Sequence, residues 1–144
     1  MKLFIKNLQK KIPVSRPKIK QAVLKVLSRE ISVKAGEINI SFISDSKIRK
    51  LNALYHNRNY PTDVLAFDLS VDKKNLIVDI YISADTAVKN SRIFRTEPKT
   101  ELYLYVIHAM LHIAGYDDHS LKETSLMRKK EDTYLKWLLS KPKQ

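Results

Sequence analysis

Apolar positions along this chain switch several times between an alternating period and a helical one. Residues 2–6 alternate weakly and predict a first strand. Pro13 and Pro17 bracket a turn. From Lys18 to Glu30, the residues Ile19, Ala22, Val23, Val26 and Leu27 recur at three and four, predicting an amphipathic helix with Ser15 as its cap. Glu37 to Ile43 predicts a strand with Ile38, Ile40 and Phe42 on one side. Ser44-Asp45-Ser46 caps a helix carrying Ile48, Leu51, Leu54 and Tyr55. It ends in the polar tract His56-Asn57-Arg58-Asn59-Tyr60-Pro61, where Pro61 cannot extend it. Val64 to Phe67 and Leu76 to Ile82 predict strands, with a turn-like Ser70 to Asn75 between them. Ser83-Ala84-Asp85 starts another helix running toward Arg92. A long apolar helix spans about Thr100 to Ala114 with Pro98 near its start, and Gly115 ends it. A last helix covers about Leu121 to Leu139.

The interspersed pattern predicts one α+β (mixed α/β) domain over residues 1–144. About four strands form a mixed sheet packed with about five helices. The absence of cysteine removes disulfides, thiolate metal sites and cysteine nucleophiles together. No apolar run approaches the roughly 18 residues of a membrane span, and the short patch at Leu3–Ile5 lacks a cleavage site after it. A cytoplasmic protein without membrane contact is therefore expected. Lys and Arg total 27 against 15 Asp and Glu, a formal charge of +12, which favours polyanionic partners.

The chemistry concentrates in His108-Ala109-Met110-Leu111-His112-Ile113-Ala114-Gly115-Tyr116-Asp117-Asp118-His119. Histidines four apart share one helix face, so His108 and His112 can address one metal ion. Gly115 permits a sharp turn that carries Asp118 or His119 back toward them. The layout H-x-x-x-H-x-x-G-x-x-D matches the metzincin spacing at both histidines and the glycine. It lacks the protease base, because Ala109 stands where the glutamate would be. Asp118 fits the third-ligand spacing and completes a His/His/carboxylate set; His119 is the alternative. One zinc ion, or another divalent transition metal, is the expected cofactor, sited at the end of the long helix in the C-terminal half.

In the tract after the second helix, His56 and Arg58 are candidates for meeting a phosphate, while Thr62 and Asp63 suit turn chemistry. Asp85 reads as a helix-start residue. The run from Lys122 to Lys136 reads as a solvated helix face, and Trp137 with Leu135, Leu138 and Leu139 reads as packing.

These blocks resemble the YbeY family of bacterial endoribonucleases. The segment His108 to Asp118 is similar to that family's H-G-x-L-H-L-x-G-Y-D-H. Leu51-Asn52 through Pro61-Thr62-Asp63-Val64-Leu65-Ala66-Phe67 is similar to its L-N-x-x-Y-R…P-T-D-V-L-S-F block, and Asp79-Ile80-Tyr81-Ile82-Ser83 with Asp85-Thr86 to its G-D-I-x-I-S-x-D-T block. Asp118 falls where the family has a third histidine, and His56 where it has an arginine thought to face substrate. Ala109 and Val78 replace family glycines. The resemblance implies a metal-dependent endoribonuclease specific for single strands. It implies partners in ribosomal RNA and the small ribosomal subunit, with roles in 3′-end maturation and ribosome quality control; DNA is not an expected partner. His56 and Arg58 become the candidates for RNA binding and catalysis. A metalloprotease-like or other metallohydrolase is disfavoured by Ala109 and the charge. A non-catalytic, ribosome-associated metal-binding protein would use the same histidines structurally.

Overall fold

The computed structural model describes residues 1–33 and 35–141. In chain order the elements are β1 (Lys2–Asn7), α1 (Arg16–Glu30), β2 (Ala35–Ile43), α2 (Asp45–His56), β3 (Val64–Asp68), β4 (Asn75–Ser83), α3 (Ala84–Phe94), α4 (Pro98–Ile113) and α5 (Leu121–Leu139). The strands form one mixed sheet in the order β1-β2-β4-β3. β1 with β2 and β2 with β4 are parallel, while β3 lies antiparallel on β4 at the edge. The α+β domain expected from the chain is thus present, with its elements displaced by one or two residues at most.

Alternation decides which side chains meet. Ile38, Ile40 and Phe42 of β2 and Leu76, Val78, Ile80 and Ile82 of β4 face the same way and are buried. α4 covers them, and is itself flanked by α1, α3 and α5. Its Leu102, Val106, Ile107, Met110 and Leu111 are almost fully enclosed. Each such side chain contributes about 1.5–3 kcal/mol on burial, so α4 is fixed in place before any ligand arrives. A smaller cluster occupies the other face, where Ile43, Ile48 and Leu65 pack with Leu51, Phe67 and Tyr81.

The helical period in α2 overstates its burial. Leu54 and Tyr55 continue the apolar repeat, yet are 73% and 61% exposed. In the last turn of α2, Tyr55 touches Phe67 of the edge strand on one side only, with ring centroids 5.2 Å apart, and Leu54 stays open to solvent. Leu139 is likewise 51% exposed at the end of α5, whereas Leu138 is enclosed. Trp137 packs as expected against the core, with the Lys25 and Lys141 ammonium groups over its ring at 4.7 and 5.0 Å.

Several buried polar groups act as fasteners. Lys18 Nζ donates to the carbonyls of Leu138 and Lys141 at 2.8 and 2.9 Å, placing a cation at the negative end of α5. Gly36, at φ +136°, lets β2 approach β4; a Cβ there would stand 1.9 Å from the Leu76 carbonyl oxygen. The starts of helices α2 and α3 are tied together. Asp45 accepts from Ser83 Oγ and Thr86 Oγ1 at 2.5 and 2.8 Å, and Asp85 accepts from the Asp45 backbone N–H at 2.8 Å. The helix-start reading of Asp85 is correct, with the addition that it serves a second helix.

Asp85 also pairs with Lys11 Nζ at 2.5 Å. That hydrogen bond, with the one from the Asp45 N–H, holds its carboxyl below the usual range, against a smaller opposing effect of burial. A depressed folded-state pKa gives stability that is present above the unfolded value and lost as pH falls through the folded one. Asp85→Asn is therefore expected to unfold more easily than wild type at pH 7, with the difference shrinking below about pH 4. Urea unfolding of both proteins at several pH values checks this; a pH-independent difference would contradict it.

Candidate metal centre and substrate groove

The long helix α4 brings His108 and His112 to its last two turns. His108 is recessed, with 29% of its side chain exposed; its Nδ1 lies 2.7 Å from Glu131 Oε2 of α5. The hydrogen bond that the His108 ring N–H donates to Glu131 holds the imidazole above its ordinary pKa, against the opposing effect of burial. The charges of Glu131, Asp63 and Asp118 act in the same upward direction. His112 is less enclosed than a core histidine, with 48% of its side chain exposed. Its Nδ1 sits 3.3 Å from the Tyr116 carbonyl oxygen and 3.4 Å from Asp117 Oδ1. Both rings are thus engaged at Nδ1, which leaves Nε2 of each for another partner. Imidazoles that ligate metals through Nε2 are oriented this way, by a carboxylate or a carbonyl at the second nitrogen.

The turn after α4 follows from Gly115, at φ +109°. It is pinned by Tyr116, whose N–H donates to the Leu111 carbonyl at 3.1 Å and whose hydroxyl donates to Glu30 Oε1 at 2.8 Å. Glu30 also accepts from Tyr134 and from Lys130, the latter at 3.2 Å. Burial pushes its carboxyl up, but the bonds from Tyr134, Tyr116 and Lys130 outweigh this and hold it below the usual range. The ionised carboxylate thereby ties α1, the post-α4 turn and α5 into one unit.

Asp118 and His119 separate at this point. Asp118 lines a groove of about 560 Å³ together with Asp63, Asn90, Tyr105, His108 and Glu131. His119 is 77% exposed, and its Nε2 lies 3.7 Å from Asp117. Among the described residues, no three His, Asp or Glu side chains are gathered closely enough to hold an ion as they stand. The donor chemistry nevertheless fits a divalent transition metal: two imidazoles held at Nδ1 one helical turn apart on α4, with a carboxylate, Asp118, in the groove that His108 lines.

His56 and Arg58 do not line that groove. Both are exposed near the end of α2, with the His56 ring stacked on Phe67 at 5.6 Å and 9°. Asp63 performs the turn chemistry expected of it, accepting from Thr62 Oγ1 at 3.2 Å and the Val64 N–H at 2.8 Å. Asn52 Nδ2 donates to the Tyr60 carbonyl at 2.9 Å and fastens the polar tract to α2.

The reading of Lys122 to Lys136 as a solvated face is corrected. Met127 and Tyr134 are buried, and Glu131 turns inward to His108. Glu131 and Glu30 are the two site residues the sequence hid. Neither stands near the histidine motif in the chain, and Glu131 lies within the charged run Lys129-Lys130-Glu131-Asp132.

The fold and this site define a single-domain α+β protein with a histidine pair on its central helix. Residues 4–138 match the family model described as Endoribonuclease YbeY, and the chain belongs to that family. An Endoribonuclease YbeY of Syntrophus aciditrophicus is 36% identical over 138 residues, covering 91% of this chain and 86% of the relative. One from Karelsulcia muelleri is 44% identical over 105 residues, covering 73% and 74%. A solution structure of a Thermotoga maritima protein superposes with a TM-score of 0.65 at 26% identity, covering 94% of this chain and 88% of that one.

Proposed function

We propose that this protein is a cytoplasmic, metal-dependent endoribonuclease that cuts single-stranded RNA. In this reading it serves late 3′-end maturation of small-subunit ribosomal RNA and ribosome quality control. The observation that carries the reading is the pair of imidazoles on α4, each engaged at Nδ1, with His108 lining a groove that also holds Asp118. The family relationship supplies the substrate class: the relatives are named endoribonucleases.

His108, His112 and Asp118 would hold the ion, zinc or another divalent transition metal. When bound, such an ion lowers the pKa of a coordinated water and stabilises charge on a phosphoryl oxygen. The chain's own residues do the rest. Glu131 and the Tyr116 carbonyl fix the two rings, Glu30 holds the Tyr116 turn, and Arg128 at the groove offers a cation to the RNA backbone. The net charge of +12 favours the same polyanion over a peptide.

The direct test is a cleavage assay on matched single-stranded and duplex RNA, with and without chelator. Internal cuts in the single strand, abolished by chelator and restored by added zinc or manganese, are expected. Intact RNA in every lane, with peptide substrates hydrolysed instead, would overturn the reading.

A further inference from the structure

We propose that the end of α2 and the edge strand β3 form a base-stacking shelf for single-stranded RNA, separate from the metal groove. This rests on the RNA reading above. The shelf is built of rings that the smaller core cluster brings to the surface. Phe67 is its floor, with centroids of Tyr55 at 5.2 Å, His56 at 5.6 Å and Tyr81 at 6.1 Å. The His56 ring is nearly parallel to Phe67, at 9°. One face of the imidazole is therefore covered by Phe67, and the exposed residue offers the other to solvent.

Such a patch is unusual for a surface with no role. Leu54, Tyr55 and Tyr60 are 73%, 61% and 53% exposed within seven residues, although aromatic rings are costly to leave in water. Its charge selects the occupant. Lys47, Arg49 and Lys50 are exposed on α2, and Arg58 follows it. The one acid of α2, Asp45, is already engaged by Ser83 and Thr86. Asp79, opposite Phe67 on β4, accepts from Asn39 Nδ2 at 3.2 Å. Exposed rings at the end of a helix whose free charges are cations suit a polyanion with flat bases, which is single-stranded RNA and not an acidic peptide.

The shelf and the groove are joined by the chain itself. Asp63 lines the groove with His108, and β3 runs from there to Phe67. Four extended steps span roughly 13 Å, about four nucleotides of a stacked strand at ~3.4 Å each. Phe67 belongs to the cluster on the sheet face opposite α4, so a strand whose bases rest on His56 would pass around the β3 edge and reach the groove at Asp63 within a few nucleotides. His56 in this account binds substrate bases through its ring face, which differs from meeting a phosphate through charge.

The test is steady-state cleavage of a single-stranded RNA by the metal-loaded protein. Stacking one base on an aromatic ring is worth about 5- to 150-fold in affinity. His56→Ala is expected to raise KM about tenfold with kcat within twofold, while His56→Phe keeps the wild-type KM. On an RNA carrying abasic sites through the shelf-binding stretch, wild type and His56→Ala should converge. Phe67→Leu, checked for folding by circular dichroism, should raise KM as His56→Ala does. An unchanged KM in His56→Ala, or a His56→Phe that behaves like alanine, would overturn the shelf while leaving RNA cleavage standing. If wild type cuts no RNA, the activity reading falls separately. Fluorescence anisotropy on the same intact strand then decides the shelf: equal affinity of wild type and His56→Ala overturns it, and a tenfold difference supports it.

Discussion

Replacing His108 and His112 together with alanine is expected to leave a folded protein that cleaves single-stranded RNA at least about 10²–10³-fold more slowly, the scale of losing a principal electrostatic stabiliser. The fold should survive for a local reason. His112 is half exposed and His108 is recessed but outside the enclosed core of α4. The main cost is Glu131, left without its partner while only 15% exposed. An unsatisfied buried polar group costs roughly 1–3 kcal/mol, a tolerable part of the ~5–15 kcal/mol of a small domain. Circular dichroism and thermal unfolding of the double variant, beside the cleavage rate, check both halves. Full activity in the folded variant would remove the histidines from the chemistry. Collapse of the fold would instead favour a structural role.

Removal of Glu131 is the second large effect expected. Glu131→Ala takes away the carboxylate that fixes His108 at Nδ1, and groups in that position are typically worth 10–100-fold in metal affinity or activity. Glu131→Gln should recover part of the loss, because an amide oxygen still accepts from the ring N–H. Competition against a chelating dye gives the metal affinity. A variant with lowered thermal stability but wild-type metal affinity would make Glu131 a packing residue only.

The difference between what could be read from the chain and what could not follows from range. Ile38, Ile40 and Phe42, and the helical repeat from Ile19 to Leu27, were legible because each pattern lies within a few residues of itself. His108, His112 and Gly115 were legible for the same reason. Leu54 and Tyr55 misled because periodicity tells which side chains share a face, not whether anything covers that face. Glu131 stands 23 residues from His108, and Glu30 stands 86 from Tyr116; only the packing of α5 and α1 on α4 brings them together. Where Asp118 and His119 fall likewise depends on the turn after Gly115, which sends one residue to the groove and the other to Asp117.

The central claim is that the histidine pair of α4 holds a catalytic metal ion. Elemental analysis of the purified protein, prepared without chelator, tests it most directly beside the folded His108→Ala/His112→Ala variant. The account predicts about one equivalent of a divalent transition metal in wild type and none in the variant. Equal metal in both, or none in a wild-type preparation that still cleaves RNA, would contradict it.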